Sequence, residues 1–96
     1  MLAFYLYPFV ENQKAIEYTR EDLMNPAQVE ELFDYCQICE GYITWTGWAF
    51  LISHYGYDGL YEIDKGSGWF DAENLEEFQL WVYGEIDCCI EAGLIN

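Results

Sequence analysis

The chain has 96 residues, enough for one domain with a single core and little to spare. It is 53 % apolar and 20 % aromatic, which excludes a disordered chain, yet eighteen acids face three bases and the formal net charge is −15. Solubility of a small domain needs a net charge of only roughly 2–8. The excess opposes compaction, makes nucleic acid and anionic membrane poor direct partners, and makes a basic protein surface the natural complement.

In chain order, residues 1–10 are apolar but lack a basic start and a small-residue cleavage site, and are too short to span a bilayer. No targeting segment, no membrane partner and a cytoplasmic location are therefore expected, with the four cysteines reduced. Residues 2–7 alternate Leu2, Phe4 and Leu6 with Ala3, Tyr5 and Tyr7, and read as a strand ended by Pro8. Residues 14–19 read as a short second strand. Thr19 and Asp22 have capping-box spacing and predict a helical turn.

Asn25 as N-cap and Pro26 at the first helical position predict a helix. Its apolar stripe is Val29, Leu32, Phe33, Cys36 and Cys39, its outward face is Glu30, Glu31 and Asp34, and Gly41 stops it. Residues 42–64 are rich in β-branched and aromatic side chains, which predicts strands at 42–46, 49–55 and 60–64. Gly47 breaks the first from the second, and 56–59 form a hairpin loop. A rival reading makes 46–55 a helix, because that run is apolar without a clean period.

Residues 65–68 form a turn into a last helix over 71–92, capped by Asp71 and followed by Gly93. Leu75, Phe78, Val82, Ile86 and Cys89 fall on one stripe, with Ile90 at its edge. Glu73, Glu76, Glu77, Asp87 and Glu91 fall opposite. The element order predicts one α+β domain over 1–96: a small antiparallel sheet with two amphipathic, acid-faced helices packed on it.

Several chemistries can be weighed. Cys36 and Cys39 have metal-ligand spacing, and Cys88 with Cys89 could complete a four-sulfur set. The first pair, however, sits inside a predicted helix on its buried stripe, where cysteine usually serves as a small hydrophobe. His54 has no evident partner for nucleophilic chemistry. The acid pairs Glu62/Asp64 and Asp71/Glu73 lack calcium-loop spacing, since Gly66 and Gly68 stand where oxygen ligands are needed. There is no phosphate-cradling glycine loop and no nucleophile elbow. An enzyme is not expected, and no catalytic residue, metal or cofactor is assigned.

The aromatic and acidic residues carry more information. Nine Tyr and four Trp exceed what so small a core readily encloses. Tyr35 and Tyr57, with Tyr5, Tyr7 and Tyr61, are candidate interface anchors. Helical surfaces normally mix signs, because Glu–Lys neighbours stabilise and like charges repel. Here Glu30, Glu31, Asp34, Glu73, Glu76, Glu77, Asp87 and Glu91 have almost nothing to mix with, and no cation follows Lys65. Carboxylates so spread can present a field like that of duplex DNA, which carries one charge per roughly 1.7 Å of axis.

In size and charge the whole chain is similar to small acidic nucleic-acid mimics, such as phage inhibitors of restriction or CRISPR complexes. That resemblance implies an inhibitor that blocks the basic DNA- or RNA-binding surface of a larger protein or nuclease complex in the host cytoplasm, without touching nucleic acid itself. Two alternatives stand beside it. One is an immunity protein or antitoxin that neutralises a basic toxin; the other is a cysteine-based zinc-binding or catalytic domain.

Overall fold

The computed structural model describes residues 4–8, 15–39 and 41–93, with side chains for 18–38 and 41–93. Strands β1 (Phe4–Pro8) and β2 (Ala15–Thr19) pair antiparallel, Phe4 opposite Thr19 and Pro8 opposite Ala15. Four helices follow: α1 (Arg20–Leu23), α2 (Pro26–Cys39), α3 (Trp45–Ser67) and α4 (Leu75–Glu91). Leu2 lies outside the described residues, as do the side chains of Tyr5, Tyr7 and Cys39.

The caps explain where α1 and α2 begin. The Asp22 amide donates to Thr19 Oγ1 at 3.1 Å and the Thr19 amide to Asp22 Oδ2 at 3.0 Å, so both donors at the start of α1 are satisfied. Asn25 Oδ1 accepts from the Ala27 amide at 3.0 Å just ahead of Pro26. Val29, Leu32, Phe33 and Cys36 of α2 are buried, and Glu30 and Glu31 are exposed.

The expected α+β architecture is overturned, for the described residues are predominantly helical and their only sheet is the two-stranded β1–β2 pair. In place of the strands expected at 42–46, 49–55 and 60–64, residues 45–67 form α3, as the rival reading had it for 46–55. Thr44 caps it through a hydrogen bond from the Gly47 amide at 3.2 Å, so Gly47 marks a first turn and not a break between strands. Gly56, expected in a hairpin loop, has φ 76° and ψ 166° and kinks the helix. The kink also explains the missing period. Trp48 and Leu51 are buried before it, Leu60 and Asp64 after it. Each pair has helical spacing, but the nine residues from Leu51 to Leu60 turn an ideal helix about half a turn out of phase. Only a break at Gly56 returns both sets to one core.

α3 is the central element, packing against β1, α2 and α4. Its end is fixed from inside. The buried Asp64 carboxylate accepts from the Phe70 amide at 3.2 Å and from Ser67 Oγ at 3.3 Å, while Gly68 closes the helix in the left-handed region. Trp69 and Phe70 are thereby turned inward. They join an aromatic cluster in which Trp48 stacks on Trp69 at 6.0 Å and Trp69 on Phe70 at 4.4 Å, while Phe70 meets Phe78 tilted at 5.4 Å. Trp48 Nε1 is buried without a hydrogen-bond partner among the described residues.

The start of α4 is corrected too. Asp71 has φ 53°, a left-handed loop conformation that Asp tolerates, and Asn74 is the cap, accepting from the Glu77 amide at 2.8 Å.

Candidate functional site

α4 turns Phe78, Val82 and Cys89 inward, with Ile86 half-buried beside them. Leu75, expected on that stripe, is instead exposed in the first turn. The opposite side carries Glu76, Asp87 and Glu91, all exposed. Among these acids stand Leu80 (61 % exposed), Tyr83 (49 %) and Ile90 (47 %), with Trp81 (41 %) on the flank. Large apolar side chains left in water between carboxylates are not what a solvated face requires.

The other sequence-derived candidates are dispersed. Glu73 precedes the helix, and its amide donates to Glu77 Oε1 at 2.9 Å, so Glu77 is occupied in closing the N-terminus of α4. Glu30, Glu31 and Asp34 lie on α2, where the Glu30 carboxylate sits beside Gly66 at the end of α3. Tyr35 is exposed on α2. Tyr57 is half-buried against Tyr83, edge to face at 5.8 Å; burial first, and the Tyr83 hydroxyl second, push its phenol up to about 12. Tyr61 donates to the Ala72 carbonyl at 3.2 Å. Tyr57 thus supports Tyr83 from below, while Tyr61 holds the loop ahead of α4. The structure brings Glu76, Asp87 and Glu91 together on one helix and leaves the α2 acids on another.

Compensating charge is scarce. Among the described residues one ion pair forms, Lys65 with Glu62 at 3.0 Å, and Lys65 also lies 4.5 Å above the Tyr61 ring. Arg20 is placed over the Phe50 ring at 5.5 Å. The last turn of α4 has no basic residue. An acid there costs about 0.3–1 kcal/mol against the helix dipole, so Glu91, with Asp87 one residue ahead of that turn, works against the fold that carries it.

On the flank of α4 a shallow depression of about 360 Å³ is lined by Phe70, Leu80, Trp81, Gly84, Glu85 and Cys88. A second, of about 270 Å³, opens on the other side of Glu85, between that residue and Cys36, Gln37, Gly41, Tyr42 and Trp69. Burial pushes the Glu85 carboxyl above its ordinary range.

Among the described residues the cysteine side chains differ in setting. Cys36 and Cys89 are buried and Cys88 is exposed. Burial pushes the Cys89 thiol up to about 12, so it keeps its proton and donates to the Ile43 carbonyl at 2.7 Å. Among the described residues no group of three or more His, Cys, Asp or Glu side chains is placed to hold a metal ion. His54 is exposed and stacks on Phe50 at 5.5 Å. Among the same residues no helix is long and apolar enough to cross a membrane.

Sequence reasoning missed Leu80, Trp81, Tyr83 and the hollow at Gly84. A signal existed for Leu80, which lies two positions from both Phe78 and Val82 and so about 160–200° from the buried stripe. No family model, curated protein or solved structure matches the chain.

Proposed function

We propose that the protein is an acidic inhibitor that occupies the basic nucleic-acid-binding surface of a larger protein, with the outer face of α4 as its contact surface. The observation that carries this reading is the alternation along α4 of exposed, uncompensated carboxylates (Glu76, Asp87, Glu91) with exposed apolar side chains (Leu80, Tyr83, Ile90). The carboxylates take the place of phosphates and speed encounter through long-range attraction. The apolar side chains between them supply the short-range grip that sets the lifetime of the complex. The acids at the C-terminal end of α4 destabilise the helix, which suits selection for binding better than selection for stability.

The test is capture with the immobilised protein from lysate of the native host, with duplex DNA as competitor. A basic nucleic-acid-binding protein should be retained, and DNA should release it. A retained partner that excess DNA leaves in place would contradict competition for a nucleic-acid site.

A further inference from the structure

The depression on the flank of α4 has unusual chemistry for an acidic protein. Its walls are the Trp81 indole, Leu80, the Phe70 ring and Cys88, and one carboxylate, Glu85, stands at its edge. Phe70 meets Trp81 edge to face at 6.0 Å, so the stack that begins in the core fixes one wall. That stack is anchored by the Asp64 bond to the Phe70 amide. The floor is open because residue 84 is glycine: a Cβ there would meet nothing within 4 Å. Glu85 has no ion-pair partner among the described residues, and burial holds its carboxyl above the ordinary range.

Resting on the reading of α4 as the contact surface, we infer that this hollow is a seat for a single arginine side chain of the basic partner. An arginine stem is apolar and suits Leu80 and Phe70, and its guanidinium is flat, weakly hydrated and able to stack on an indole while donating to a carboxylate. A lysine ammonium is a compact, strongly hydrated point charge and uses the indole and the carboxylate less well together. A second copy of this chain is the wrong occupant, since each copy brings a net charge of −15. An aliphatic side chain would bury Glu85 without a counter-charge.

The probes are octa-arginine and octa-lysine, equal in charge, titrated into the full-length 15N-labelled protein. Octa-arginine should bind at least fivefold more tightly, with the largest amide and indole shifts at Trp81, Gly84 and Glu85. Gly84→Met fills the hollow from an exposed helical position, and Glu85→Gln removes the charge; each should bring octa-arginine to the octa-lysine affinity and leave octa-lysine unchanged. Melting temperatures at or above the wild-type value in both variants would exclude unfolding as the cause. Equal affinities with shifts spread over the acidic residues would overturn the arginine seat while leaving electrostatic mimicry standing. An arginine preference that survives either substitution would overturn it as well. Failure of both peptides to bind would overturn the seat and the proposed function together.

Discussion

α2 and α4 are both amphipathic helices with acids on the outer side, packed against α3, yet their charges stand in different relation to the fold. On α2, Glu30 and Glu31 lie in the N-terminal half, where the helix dipole tolerates them, and Glu30 rests beside Gly66. On α4, Asp87 and Glu91 lie where the dipole opposes them, among exposed Tyr83 and Ile90 and next to a hollow backed by the aromatic stack. The same sequence pattern therefore has two physical meanings. Both helices expose apolar side chains, Tyr35 and Ile38 on α2, but only α4 adds an acid in its last turn, a cost that folding does not explain.

The largest expected effect lies in the anchor under α4. Asp64→Ala leaves the buried Phe70 amide without its acceptor, while the Ser67 hydroxyl keeps the residue 64 carbonyl, and should lower stability by about 2 kcal/mol. Chemical denaturation measures this, and a loss below about 0.5 kcal/mol would show that the 64–70 junction does not brace the α4 side. Next comes the grip. Leu80→Ser with Tyr83→Ser should weaken partner binding about tenfold, or about 1.4 kcal/mol, whereas Tyr35→Ser with Ile38→Ser on α2 should leave it within about twofold. Equal losses would erase the distinction between the helices.

A smaller effect follows from Gly84, a glycine inside a helix with open space at its Cβ position. Gly84→Ala should raise stability by roughly 0.5–1 kcal/mol, measured by thermal melting, and a fall would show that the helix needs a glycine there for folding.

The smallest concerns pH. Burial holds the Asp64 carboxyl above its ordinary range, against hydrogen bonds that pull it down, and burial does the same to Glu85. The folded state therefore takes up protons before the unfolded chain does. That stabilisation is complete below the unfolded carboxylate range and is lost as pH rises through the raised folded values. Melting temperature should thus rise by a few degrees, roughly, as pH falls from about 7 to about 5. Asp64→Asn should flatten the dependence more than substitution of any acid on α2, and a dependence unchanged by it would contradict the assignment.

How much of this was legible in the sequence differs along the chain. The Thr19 box, the Asn25–Pro26 start and the buried stripe of α2 are local signals, set by neighbours three or four residues away, and the structure follows them. Only the part of α3 before its kink was legible, in the rival reading of 46–55 as a helix; the whole element was not, because its two buried sets are related through the positive φ of Gly56 and no single period spans both. β-branched and aromatic content then favoured strands that tertiary packing overrides. At α4, Asn74 and Glu77 have the spacing of a helix start, and Asp71 competes with them in the sequence only. The outward acids Glu76, Asp87 and Glu91 were readable from helix phase. The hollow beside Glu85 was not, since Phe70 reaches it from another segment.

The most direct measurement compares two charge-reversal triples in capture from host lysate: Glu76→Lys, Asp87→Lys and Glu91→Lys on α4, against Glu30→Lys, Glu31→Lys and Asp34→Lys on α2. Both triples should melt near or above the wild type, because each reduces the magnitude of the net charge by the same amount. If α4 is the contact surface, its triple loses the captured nucleic-acid-binding protein at least tenfold, about 1.4 kcal/mol, while the α2 triple retains most of it. Equal retention by both folded triples, or a larger loss from α2, would contradict it.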